Sequence, residues 1–170
     1  LDVAGRVSGD PSRVTVYLPR GALTSEQQGG ARNALLANET LRSTTEEWPQ
    51  LFENYNAAIR RLDGLGESAA LAARMSSSTI DELVTAMRGG DSGLTPAQRA
   101  VVRARAALRG AQVRTVGTIR TLDNFGALTL GEAAYAAEQI PVPSGLAPSS
   151  GTTRSRGMEV LRRLNVESNR

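Results

Sequence analysis

One stretch of this chain carries most of its large apolar side chains, and it carries them at helical spacing. Trp48, Leu51, Phe52, Tyr55, Ile59 and Leu62 fall at i, i+3, i+4, i+7, i+11 and i+14, a continuous stripe down one side of an α-helix. Aromatic residues make up only 4% of the sequence, so little else of comparable size exists to build a core around. The fold must therefore bury this stripe, with Leu, Ala and Val from other segments supplying the opposing surfaces. A chain of 170 residues suffices for one domain with tails and not for two large domains.

The segments around the stripe are marked as helices by hydroxyl residues followed three positions later by Glu, Gln or Asp, the pattern of a capping box. Thr24 with Gln27 predicts a helix to about Arg42, with Leu35, Leu36 and Leu41 on its inner face. Ser43 with Glu46 predicts the start of the stripe helix, whose early Glu46, Glu47 and Glu53 and late Arg60 and Arg61 complement the helix dipole. Gly64-Leu65-Gly66 ends it. An alanine-rich helix follows from Glu67 to Met75, and Ser78 with Asp81 opens another, with Ile80, Leu83, Val84 and Met87 inward before Gly89-Gly90. Thr95-Pro96-Ala97-Gln98 joins an N-cap, a proline at the first helical position and a closing glutamine, predicting a helix to Leu122 across Gly110 and Gly117. Thr129 with Glu132 begins a short helix through Gln139.

The two ends read differently. Val14, Val16 and Leu18 alternate with Arg13, Thr15 and Tyr17 after a turn-rich Ser8-Gly9-Asp10-Pro11-Ser12, which predicts a β-hairpin over residues 1–19. Residues 141–157 have the composition of a flexible linker, with a short helix at Met158 to Leu164 after it. The expected organisation is a hairpin arm over 1–19, a helical bundle domain over 20–140 and an extended arm with a short terminal helix over 141–170. The expected fold class is mainly α, a bundle of about five to seven helices, with both arms reaching neighbouring subunits.

Residue types that are missing exclude much chemistry. Cysteine is absent, which removes disulfides, thiol catalysis and thiolate metal sites; histidine is absent, which removes Ser-His-Asp and Cys-His catalysis. Lysine is absent too, so no phosphate loop ending in Gly-Lys-Ser/Thr exists, and Gly64-Leu65-Gly66 lacks the third glycine of a dinucleotide loop. A codon bias toward arginine explains the missing lysine most simply; selection against ubiquitin conjugation is the alternative. Asn38-Glu39-Thr40 matches a glycosylation sequon within a predicted helix, and Ser76 to Ser78 have no base to activate them. No catalytic residue, cofactor site, metal site or small-molecule substrate is expected, and no membrane segment or secretion signal is evident. The first residue is Leu1, which fits a processed product or a piece of a longer chain.

Residues 92 to 122 hold six arginines (Arg99, Arg103, Arg105, Arg109, Arg114 and Arg120) and no acidic residue. Projected at about 100° per residue from Arg99, Arg103 and Arg114 lie within about 60° of it, and Arg105, Arg109 and Arg120 lie at roughly 240° to 300°. All six fall on one half of the helix, with Val102, Val113 and Val116 interspersed. Ala97, Val101, Ala104, Leu108, Ile119 and Leu122 take the opposite half and are expected to dock on the core. The formal charge of the whole chain is only +3, so the remainder carries an acidic excess, and pairing with Glu46, Glu47, Asp81 or Glu82 competes with a polyanionic partner. Favouring the partner, no acid stands three or four residues from any of these arginines within the segment.

Leu94-Thr95-Pro96-Ala97-Gln98-Arg99-Ala100-Val101-Val102 resembles the opening helix of the helix-turn-helix domains of sigma factors and related bacterial regulators. Those domains turn into a second helix within about twenty residues, whereas this sequence continues helically through Ala106 and Leu108. The likeness is confined to the capping pattern. The functional expectation is a structural assembly subunit, viral or phage coat or nucleocapsid-like, that self-associates, resides in the virion or cytoplasm, and contacts nucleic acid non-specifically through the six arginines. The alternative is a bacterial nucleic-acid-associating regulator or architectural protein acting as a small oligomer.

Overall fold

The computed structural model describes residues 25–90, 92–124, 140, 142–143, 145–148 and 151–167. Five helices account for most of them: α1 (Ser25–Gly64), α2 (Ser68–Ser77), α3 (Ile80–Arg88), α4 (Pro96–Asn124) and α5 (Gly151–Glu167). The protein is mainly helical, and the described residues include no strand. The hairpin expected over residues 1–19, the Thr24 cap and the helix expected from Thr129 lie outside the described residues.

The first departure from expectation is that α1 is one helix of 40 residues rather than two. Ser43-Thr44-Thr45 resembles a helix start because hydroxyls compete for backbone partners, yet here they satisfy themselves within the helix. Thr44 Oγ1 donates to the Thr40 carbonyl at 2.9 Å, Thr45 Oγ1 to that of Leu41 at 2.8 Å, and Ser43 Oγ to Glu47 at 3.0 Å. Glu46 turns to Arg42 instead of closing a capping box. Bonded in this way, Thr44 and Thr45 can be buried, and they bridge Leu41 to Trp48 on the inner face.

That inner face runs through Ala37, Leu41, Trp48, Phe52, Tyr55, Ile59 and Leu62, all buried. Leu35 and Leu36, expected to face inward, are instead 66% and 52% exposed. The stripe at this end is set by register with Trp48, and Ala37 and Leu41 keep that register where Leu35 and Leu36 do not. Pro49 lies inside the helix and removes one backbone donor, a defect of about 3 kcal/mol. Burial of Trp48 and Phe52 on either side, each contributing about 1.5–3 kcal/mol or more, offsets it. Their rings touch at 5.1 Å between centroids with planes tilted by 52°.

Short, well-capped turns fold α2, α3 and α4 back toward this face. Gly66, at φ +70°, ends α1 in a Schellman turn: the Glu67 amide donates to the Leu62 carbonyl at 3.2 Å and the Gly66 amide to that of Asp63 at 3.0 Å. The cap of α3 is Thr79 with Glu82, one residue beyond the Ser78–Asp81 pair expected: the Glu82 amide donates to Thr79 Oγ1 at 3.2 Å and the Thr79 amide to the Glu82 carboxylate at 2.7 Å. At α4 the expected box forms, with the Gln98 amide donating to Thr95 Oγ1 at 3.2 Å and the Thr95 amide to Gln98 Oε1 at 3.1 Å. Thr95 Oγ1 also donates to the Glu67 carboxylate, which ties the start of α4 to the residue preceding α2. Gly110 and Gly117 do not interrupt α4.

The C-terminal region departs furthest from expectation. Residues 151–157, linker-like in composition, are the first two turns of the 17-residue helix α5. Gly157, Leu161 and Leu164 are buried at i, i+4 and i+7, so this segment belongs to the same core and is not an extended arm. The approach is close: a Cβ placed on Gly157 would stand 2.5 Å from Trp48 Nε1. The polypeptide leading to α5 is held to the bundle as well. Gln112 Nε2 donates to the Ile140 carbonyl at 3.1 Å and Tyr55 Oη to that of Gly145 at 2.5 Å; Arg154, within α5 itself, pairs with Glu53 at 2.6 Å.

Replacing Gly157 with alanine sets two effects against each other. Helix propensity favours alanine by about 1 kcal/mol, whereas forcing the Trp48 ring aside costs roughly 1–3 kcal/mol. We expect net destabilisation, read as a lower denaturant midpoint together with a shifted emission from the single tryptophan.

Candidate nucleic-acid interface

The fold separates the six arginines of α4 into three groups. Arg109 pairs with Asp81 of α3 at 3.3 Å and Arg114 with Glu47 of α1 at 3.4 Å. Both acids are among those the sequence offers for pairing, and these mid-helix cations are partly neutralised within the chain. Arg105 forms the second group. It sends Nη1 to the Met75 sulfur at 3.8 Å and lies close enough to Tyr55 to act on its ionisation. Its position explains this, since Val101, Val102 and Leu108, three or four residues away along the helix, are all buried.

Val102 corrects the simple two-sided projection. It was expected among the outward arginines and is fully buried, whereas Val113 is 61% exposed. The buried arc of α4 shifts along its length: Val101 and Val102 define it near the start, and Ala111, Thr115, Thr118 and Ile119 define it later. A long helix crossing others at an angle presents different faces to them at its two ends.

Arg99, Arg103 and Arg120 form the third group and have no ion pair among the described residues. Arg120 is about 32 Å from Arg99 along the helix axis at 1.5 Å per residue, so the two ends of the row are separate surfaces. At the Arg99 end a second element contributes. A groove of about 530 Å³ runs between α1 and α4, with Asn54 and Arg61 on one wall, Arg103 on the other, and alanines of both helices as its floor. Arg61 is exposed and also lacks an ion pair among the described residues. Neither Arg61 nor Arg103 has an acid three or four residues away.

Sequence reasoning assigned Arg60 and Arg61 to the dipole at the end of α1 and gave Asn54 no role. Asn54, Ala57, Ala58 and Arg61 recur at i, i+3, i+4 and i+7, but nothing in that spacing says that α4 lies alongside. A smaller hollow of about 400 Å³ lies between α1 and α5, beside Pro49, Arg154, Met158 and Arg162. There Arg154 is already paired with Glu53.

Among the described residues no three His, Cys, Asp or Glu side chains cluster to hold a metal ion, and no helix is long and apolar enough to cross a membrane. The hydroxyls of Ser76 and Ser77 turn back onto helix carbonyls at 2.7 and 3.1 Å. No family model, curated protein or solved structure matches the chain. The functional reading therefore rests on the residues themselves.

Tyr55 is the one described group with a displaced ionisation. Burial pushes its hydroxyl above the usual value of 10.0, and the Arg105 guanidinium opposes that displacement. Because the folded state holds the proton more tightly than the unfolded chain, the associated stability is complete below about pH 10. It is lost as pH rises from there through the folded-state value. Unfolding free energy should thus fall more steeply above about pH 10 in the native protein than in Tyr55→Phe. At neutral pH that variant should lose about 0.5–1.5 kcal/mol with the hydrogen bond to Gly145. Denaturant titration over a pH series checks both.

Proposed function

We propose that this protein is a structural subunit that coats or packages nucleic acid, in the manner of a viral or phage coat or nucleocapsid protein, and that it has no catalytic activity. The observation that carries the reading is the group Arg99, Arg103 and Arg61, three cations held on two adjacent helices with no ion pair among the described residues. Arginine retains its charge in any surroundings and matches phosphate with a two-pronged donor fork, so an open cluster of this kind favours a polyphosphate chain. Its contacts go to the backbone and carry no sequence information. Self-association is supported by large apolar side chains left at the surface, Leu35 and Leu36 on α1 and Val166 near the end of α5.

The pairing pattern sharpens the assignment made from sequence. Arg109 and Arg114 belong to the arginine row, but each already has a carboxylate, and a phosphate would have to displace it. The contribution of α4 to binding is therefore expected from its ends, chiefly the Arg99–Arg103 end.

Two variants test this on a labelled mixed-sequence oligonucleotide. Arg99→Gln with Arg103→Gln and Arg120→Gln should flatten the dependence of log K on log salt by about 2–3, given about 0.7–0.9 per phosphate contact. Arg109→Gln with Arg114→Gln should change that slope by less than about 1. Sedimentation of the wild type with nucleic acid should give large particles. A stable monomer with no response to nucleic acid would overturn the proposal, and a defined dimer binding duplex reversibly would replace it with a regulator or architectural protein.

A further inference from the structure

We infer that the groove between α1 and α4 receives one nucleotide of a single strand, with the phosphate bridged by Arg61 and Arg103 and the sugar and base lying over the alanine floor. This rests on the nucleic-acid reading above and names the form of nucleic acid that the site takes. Size comes first: about 530 Å³ lies within the range of about 300–1,000 Å³ typical of small-ligand sites. The groove stays open because of its side chains. Ala57 on α1 faces a run at i, i+4 and i+7 on α4, formed by Ala100, Ala104 and Ala107, and a leucine at these positions would fill the space.

Charge and shape then choose the occupant. The polar groups on the groove are Arg61, Arg103 and Asn54, two cations and an amide with no carboxylate among them. That set complements a phosphodiester with a hydrogen-bonding sugar or base edge beside it. A duplex presents its phosphates on a stiff rod whose bases are stacked inside, so it would rest on the arginines at the rim and leave the floor empty. A single strand can turn a nucleotide inward. The lining contains no aromatic residue, so stacking cannot rank the bases, and one amide cannot distinguish four of them. Binding of single strands with little base preference follows.

The test uses the full chain and a labelled mixed-sequence oligonucleotide, offered as a single strand and as the corresponding duplex, with fluorescence anisotropy at several salt concentrations. Ala57→Leu fills the groove from an exposed position and leaves every charge in place; Ala104→Leu fills it from the opposite wall, and thermal melts of both confirm folding. The wild type should prefer the single strand. Each leucine variant should weaken single-strand binding by about tenfold with duplex binding and salt slope unchanged, whereas Arg61→Gln with Arg103→Gln should weaken both forms. Folded leucine variants that bind the single strand as the wild type does, or a wild type that prefers duplex, would overturn the groove assignment and leave the nucleic-acid reading standing. Wild-type protein that binds neither form would overturn both. Tighter binding of an acidic helical peptide, lost in the leucine variants, would give the groove to a protein partner and overturn the inference.

Discussion

The burial of Trp48 against Gly157 is the contact on which the rest of the architecture depends. With so few large side chains available, α1 concentrates them on one face, and the other helices of the core are held by packing against it. Trp48 is fully buried, and its indole nitrogen has no hydrogen-bond partner among the described residues, a cost of about 1–3 kcal/mol. Packing has to outweigh that cost, and it does so through close approach: the backbone of α5 comes against the ring at the one residue of that turn with no side chain. Leu161 and Leu164 join the same buried cluster as the α1 stripe, while Tyr55 and Gln112 hold the chain that leads into α5.

This packing governs the electrostatics. Docking α3 and α4 on the core brings Asp81 to Arg109, and docking α4 along α1 brings Glu47 to Arg114. Both pairs are half exposed and contribute less than about 1 kcal/mol each, so they are consequences of the fold rather than causes of it. What they change is the surface. A row of like charges that would otherwise run the length of α4 is interrupted in its middle, and the cations with no ion pair among the described residues sit toward its ends. At one of those ends α1 contributes Arg61.

Several features were legible in the sequence because they depend on residues close together along the chain. The stripe from Trp48 to Leu62 is buried as its spacing predicts, with Leu51 half-buried at its edge. The Thr95–Gln98 box forms because both partners lie within one turn. Other features were misread for an equally physical reason. Ser43 to Thr45 can cap a helix or bond back into one, and the choice falls to the second once Thr44 and Thr45 are drawn into the buried face. Gly151 to Gly157 has weak helix propensity and reads as a linker, but propensity differences of about 1 kcal/mol per residue yield to a packed apolar face.

The sequence by itself determined the helical class, the position of the core stripe, the start of α4 and the exclusion of histidine- and cysteine-based chemistry. All of these follow from residue identity and short-range periodicity. Tertiary structure alone decided that α1 is continuous, that residues 151–167 join the core, and which arginines meet acids. It also decided that Arg61 and Arg103, 42 positions apart in the chain, share a groove. No local pattern encodes that last pairing, because it depends on how α1 and α4 dock, and docking is set by the joint burial of side chains far apart in the chain, Leu62 beside Arg61 and Val102 beside Arg103 among them.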